Sequence, residues 1–279
     1  MTRRSPRLVR TLTTTLAAGT LLASAACSDS GDTDGGARVT GARASQVAGE
    51  RQTAGERQTP SPTATLGTDA ARTALITEAD IEDGWTQVKD TEAENWHDNL
   101  LIGKVDVNDF VSGKNQAADC RRLMDSLFDD DLLGRPSGAS ALRGFTQGDS
   151  RLLYQVASYD RTDPQDSLTW MSTLPDKCDR FTVTDGGDKR TVQVIETSLP
   201  GVGDAREGLR VTVQGDSGGQ PATLTLDVAA VRVGDDAITV TAGGLDGDEN
   251  DSTKQAVEQG TQRLEDVLAG KSPAASPTD

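Results

Sequence analysis

The chain has 279 residues, with 28 basic and 44 acidic side chains and a net charge of −16. The four arginines at positions 3, 4, 7 and 10 are the whole charge of the first 26 residues, so beyond them 24 basic residues face 44 acidic ones. So acidic a body repels phosphate backbones, which argues against nucleic acid as a partner, and nine aromatics are too few for a stacking platform.

Residues 1–26 have the parts of an export signal: Arg3, Arg4, Arg7 and Arg10, then an apolar middle from Thr11 to Leu22, then small residues. The apolar run is too short and too rich in threonine to span a bilayer. The stretch Leu21-Leu22-Ala23-Ser24-Ala25-Ala26-Cys27 resembles the lipobox of bacterial lipoproteins, with Ser24 standing where an aliphatic residue is usual. That resemblance implies acylation of Cys27 and display on the extracytoplasmic face of the cell membrane. General secretion fits the leader better than the twin-arginine route, which Thr2-Arg3-Arg4 matches only in part.

Residues 27–68 are polar and small, with Ala-Gly-Glu-Arg-Gln-Thr at 48–53 and again at 54–59. Such a segment buries too little to offset its ordering entropy and reads as a disordered tether with a reach of ~35 Å. With Cys27 taken by a lipid, Cys120 and Cys178 remain. Outside the cytosol an isolated pair reads as a disulfide closing 58 residues, worth ~4 kcal/mol; the alternative is two buried free thiols. Two cysteines and a distant His97 lack the spacing of a zinc site, and neither a metal nor a cofactor is expected.

The folded domain is expected over 69–270, with a polar tail at 271–279. Thr77-Glu78-Ala79-Asp80 reads as a capping pattern opening a short helix that Gly84 ends, followed by a strand through Trp85 and Val88. Residues 90–113 have no clear period. Over 115–133 the apolar positions Ala117, Cys120, Leu123, Met124, Leu127 and Phe128 recur at helical spacing, until Gly134, Pro136 and Gly138. Strands at 140–146 and 151–159 turn at Gly148-Asp149. Asp163-Pro164 opens a helix whose inner face carries Leu168, Met171 and Leu174, with Cys178 at its end. Strands at 181–184, 191–197, 209–214, 222–233 and 237–242, separated by Gly- and Asp-rich turns, imply an antiparallel meander. Ser252-Thr253-Lys254-Gln255 fits a capping box for a last helix with Ala256, Val257, Leu264, Val267 and Leu268 inward. The expected class is α+β: a single curved antiparallel sheet with helices packed on one face.

Gly215-Asp216-Ser217-Gly218-Gly219 spells the nucleophile motif of chymotrypsin-like proteases, which would need Ser217 beside a histidine base. His97, in Trp96-His97-Asp98, is the one histidine, and the Ala-Ala-His-Cys surroundings of that family are missing. The five residues suit a hairpin turn, so Ser217 and His97 are only the candidates of a minor hydrolase reading. Leu199-Pro200-Gly201-Val202-Gly203-Asp204 lacks the strand–loop–helix context of a nucleotide site and reads as a surface loop. Asp246-Gly247-Asp248-Glu249-Asn250-Asp251 lacks the glycine and glutamate of a calcium loop, and reads as an acidic approach to a helix N-terminus. Asp129–Asp131 reads as a solvated surface. Trp85, Tyr154 and Trp170 read as core.

The order of elements, with Cys120 in one helix, Tyr154 in a hairpin, Trp170 and Cys178 in and after a second helix, and the 199–204 loop, resembles the extracellular sensor-type domain of certain mycobacterial serine/threonine kinases. It is similar also to stand-alone actinobacterial lipoproteins of that type. The resemblance implies a cleft over an antiparallel sheet and a ligand-binding role without catalytic residues; those kinase domains carry two disulfides, and one is possible here. The expected function is a non-enzymatic cell-surface lipoprotein that binds a small ligand or an envelope protein. The alternative is a structural or interaction protein of the envelope with no small-molecule site.

Substitution Cys27→Ser should move the protein from the membrane fraction to the soluble one while leaving the Cys120–Cys178 bond intact. Continued retention on membranes would overturn the anchor.

Overall fold

Long runs of β-branched and aliphatic residues broken by Gly- and Asp-rich turns give the chain its sheet. The computed structural model describes residues 66–96, 101–102, 105–106, 117–160, 162–185, 187–245 and 247–273. Cys27, the expected leader and tether, His97 and most of the expected tail lie outside the described residues. Those described all fall in one compact unit, Arg57–Asp279.

Ten strands are described: β1 Thr86–Gln87, β2 Leu101–Ile102, β3 Val105–Asp106, β4 Ser140–Gln147, β5 Ser150–Ser158, β6 Arg180–Asp185, β7 Asp188–Glu196, β8 Ala205–Ser217, β9 Gln220–Val233 and β10 Asp236–Gly244. Eight of them form one sheet in the order β1-β4-β5-β10-β9-β8-β7-β6, every pair antiparallel, while β2 and β3 pair apart from it. Strands β6 to β10 are the expected meander. The β4–β5 hairpin then joins it through β10, with Tyr154 opposite Val240. The helices are α1 Thr68–Thr73, α2 Asp90–Glu94, α3 Ala118–Phe128, α4 Asp163–Ser172, α5 Leu174–Lys177 and α6 Asn250–Leu268, with a 3₁₀ turn at Glu78–Asp80.

The α+β class and the single antiparallel sheet are as expected. Helices cover both of its faces, however, and not one. Side chains alternate along a strand: Leu152, Tyr154 and Val156 of β5 join one buried cluster with α1 and α6, and Leu153 and Ala157 join the other with α3, α4 and α5. The physical reason is in β9, where Val228, Ala229, Ala230 and Val231 are all buried. A strand apolar at consecutive positions cannot leave one side in water, and both faces take a helical layer.

The two layers are fastened differently. On one face Cys120, in the first turn of α3, is bonded to Cys178 just after α5, with Cα atoms 5.6 Å apart. The expected disulfide thus staples these helices, and Arg122 of α3 stacks 3.9 Å over the Trp170 ring of α4. On the other face Arg263 of α6 clasps the beginning of the domain. Its Nε donates to the Leu75 carbonyl (3.0 Å), and Nη1 lies 3.3 Å from the buried Asp80 carboxylate. Asp80 in turn accepts the Thr77 N–H (2.7 Å) and hydroxyl (2.8 Å), closing the expected capping box.

The start of α6 differs from expectation. The helix begins at Asn250, two residues before Ser252, and Ser252 is buried inside its first turn. Its Oγ accepts the Trp85 Nε1–H (3.1 Å) and donates to Glu82 (2.5 Å), so the hydroxyl joins α6 to the 3₁₀ segment and leaves the capping role unfilled. The middle of α6 comes close to the sheet because residue 260 has no side chain. A Cβ there would stand 2.4 Å from Tyr154 Oη and 2.6 Å from its ring.

Gly260→Ala should therefore destabilise the domain by about 1–3 kcal/mol through overpacking, although alanine is the better helix former by about 1 kcal/mol. Gly67→Ala, where a Cβ meets nothing within 4 Å, is the control. Urea denaturation of both variants checks this; an unchanged midpoint for Gly260→Ala would contradict the packing described.

Candidate functional site

The segment 85–96 crosses the outer end of the sheet. After β1, the Val88 N–H donates to the Gly144 carbonyl of β4 (2.9 Å), and α2 follows at once with Asp90 and Glu92 in its first turn, where negative charge suits the helix dipole. Helix α2 rests on β4 at Gly144. A Cβ at that position would lie 2.8 Å from Val88 Cγ2 and 3.2 Å from Ala93 Cβ, so the glycine sets the height of the helix above the strand.

Only five residues long, α2 does not cover the whole end of the β4–β5 hairpin. A cavity of about 310 Å³ remains between them. Val88, Ala93, Trp96 and Leu153 give it apolar walls, Gly144 and Thr146 lie on the β4 side, and Glu92 and Arg151 supply opposite charges. Arg151 Nη1 donates to the carbonyls of Gly148 (3.0 Å) and Ser150 (2.8 Å), which holds the side chain at the hairpin's end. Among the described residues neither Glu92 nor Arg151 makes an ion pair.

Trp96 is 5 % exposed, and its Nε1 is buried with no hydrogen-bond partner. The other two indoles are satisfied: Trp85 donates to Ser252 and Trp170 to Asp119 Oδ1 (3.2 Å). An orphaned buried donor costs about 1–3 kcal/mol.

The stretches singled out in the sequence lie elsewhere. Ser217 ends β8, paired with Gln220 across the Gly218-Gly219 turn, so the protease-like pentapeptide is the end of a hairpin. The 199–204 loop connects β7 to β8, and Asp204 there accepts the Gly234 N–H (2.7 Å). Asp248 pairs with Arg210, which also holds the buried Asp227 at 2.9 Å, and Asp227 accepts the Glu249 N–H (3.1 Å). Arg210 thus ties Asp248, in the acidic approach to α6, to the sheet. No group of three or more His, Cys, Asp or Glu among the described residues is placed to hold a metal.

Asp129–Asp131 is not the plain solvated surface expected. Asp130 adopts φ 56° and is half-buried; burial first, then the charges of Asp129 and Asp131, push its carboxyl up to about 8. It lines a small cavity with Leu127, Leu132, Leu153 and Gln155, and Leu153 lines the α2 cavity as well.

The lining residues Glu92, Ala93, Trp96, Gly144 and Arg151 were not visible as a site in the sequence. The one available signal was acidic Asp90-Thr91-Glu92 opening a short helix next to an isolated tryptophan.

No protein-family profile matches the chain, and no curated protein does. Among solved structures it is similar to the extracellular domain of PknH from Mycobacterium tuberculosis, at 12 % identity and a TM-score of 0.44, covering 75 % of this chain and all of that one. It is similar also to a putative uncharacterized protein (Rv0999 ortholog) from Mycobacterium smegmatis, at 16 % identity and a TM-score of 0.35, covering 74 % of this chain and 98 % of that one.

Proposed function

We propose that the chain is a non-enzymatic binding protein of the cell surface, held to the membrane by a lipid on Cys27, whose domain takes a small ligand in the cavity between α2 and the β4–β5 hairpin. The cavity carries this reading. A partly apolar concavity with a few polar groups beside a sheet is the usual form of a small-molecule site, whereas a flat polar face there would favour an interaction protein without one. Its walls are preformed by packing, because the height of α2 is set at Gly144 and Arg151 is held by two backbone carbonyls.

The anchor and the compartment are supported by the run ending at Cys27 and by the Cys120–Cys178 bond, which belongs to an oxidising environment. The acidic domain keeps nucleic acid out of consideration and would stand off an anionic membrane, so the membrane contact falls to the lipid. No helix among the described residues is long and apolar enough to cross a membrane.

Native mass spectrometry of the full chain isolated from its own host tests the ligand. The expected result is a low-mass adduct that is lost when Thr146→Trp fills the cavity from β4, where an aromatic residue suits a strand. A bare wild-type protein, or an adduct retained in a folded Thr146→Trp variant, would sink the reading.

A further inference from the structure

We infer that the cavity between α2 and β4–β5 selects a small apolar zwitterion, of the size and chemistry of an apolar dipeptide with both termini free. The inference rests on the proposal that this cavity is a ligand site. It is carried by charge complementarity between the cavity and such a molecule.

Two charged side chains of opposite sign line the cavity, Glu92 from α2 and Arg151 from β5, and they form no ion pair with one another or with any other described residue. The rest of the lining is apolar or uncharged. A ligand carrying one charge would pair with only one of the two and draw nothing from the other. A ligand with an ammonium group for Glu92 and a carboxylate for Arg151 compensates both. Arginine's fork matches a carboxylate, and its Nη1 is already fixed by the Gly148 and Ser150 carbonyls.

Between those ends the walls are Val88, Ala93, Trp96 and Leu153, which suit aliphatic or aromatic substituents and offer no charge to polar ones. Size sets the upper bound. At about 310 Å³ the cavity is at the small end of the ~300–1,000 Å³ range of ligand pockets. It holds about two amino-acid residues. The strongly acidic domain further disfavours a purely anionic ligand.

Calorimetric titration of the full chain, with tryptophan emission as a second readout, tests this using four probes. They are Leu-Leu, its N-acetyl form, its C-terminal amide and the uncharged fluorophore N-phenyl-1-naphthylamine. Leu-Leu should bind best, and each capped form should bind about tenfold more weakly, the loss expected for one charge-assisted hydrogen bond. Glu92→Gln, at an exposed position, should weaken Leu-Leu about tenfold and leave the N-acetyl form unchanged. Arg151→Gln should do the same to Leu-Leu and spare the amide.

Equal binding of free and capped peptides would overturn the inference, as would indifference of Leu-Leu to Glu92→Gln. Binding of the naphthylamine without Leu-Leu would overturn it too while leaving the cavity as a ligand site. Binding of no probe counts against both.

Discussion

A sheet whose central strands are apolar on both sides has to be covered on both sides, and the rest of this domain follows from that requirement. Val228 to Val231 of β9 bury four side chains in succession, two toward each layer. A fully buried valine is worth about 1.5–3 kcal/mol, and with one on each face, Val228 and Val231, neither face could be surrendered to water. One layer is fastened covalently, by Cys120–Cys178 between α3 and the end of α5. The other is fastened by polar contacts at its rim, where Arg263 grips Asp80 and the Leu75 carbonyl, and Ser252 bridges Trp85 and Glu82. Removing one partner from the buried Asp80–Arg263 pair would leave a charge uncompensated, which is what makes the grip specific.

The candidate site arises where the cover is thinnest. Helix α2 is a turn and a half long and sits on β4 at a glycine, so it closes the middle of the hairpin and leaves its turn end open. A longer helix would bury Arg151, and a side chain at position 144 would lift α2 and widen the gap into a flat surface. The cavity is therefore a consequence of two local features, the shortness of α2 and the missing Cβ of Gly144. Its two charges come from separate elements, Glu92 from α2 and Arg151 from β5.

Much of the fold was legible in the sequence because its signals are periodic. Cys120, Leu123, Met124 and Leu127 mark the inner face of α3, and the Gly- and Asp-rich turns separate β6 to β10 where expected. Covering on both faces was also written, in the consecutive apolar residues Leu152-Leu153-Tyr154 of β5 and Val228 to Val231 of β9, but alternation is the pattern that reveals a one-sided sheet. Ser252 misled for a different reason: Ser-Thr-Lys-Gln has the composition of a cap, and only the distant Trp85 and Glu82 turn that hydroxyl into a bridge. The site was the least legible part. Glu92, Trp96 and Arg151 are far apart in the chain, α2 is too short to show a period, and the role of Gly144 depends on what lies above it.

Central to this account is the cavity beside Trp96 as the place where a ligand binds, and the three indole N–H groups report on it directly. In a ¹H–¹⁵N spectrum of the full chain titrated with the low-mass fraction of its host, the Trp96 resonance should move. Those of Trp85 and Trp170, held by Ser252 and Asp119 away from the cavity, should stay in place. A titration that shifts Trp85 or Trp170 and leaves Trp96 unmoved, or that shifts none of the three, would contradict it.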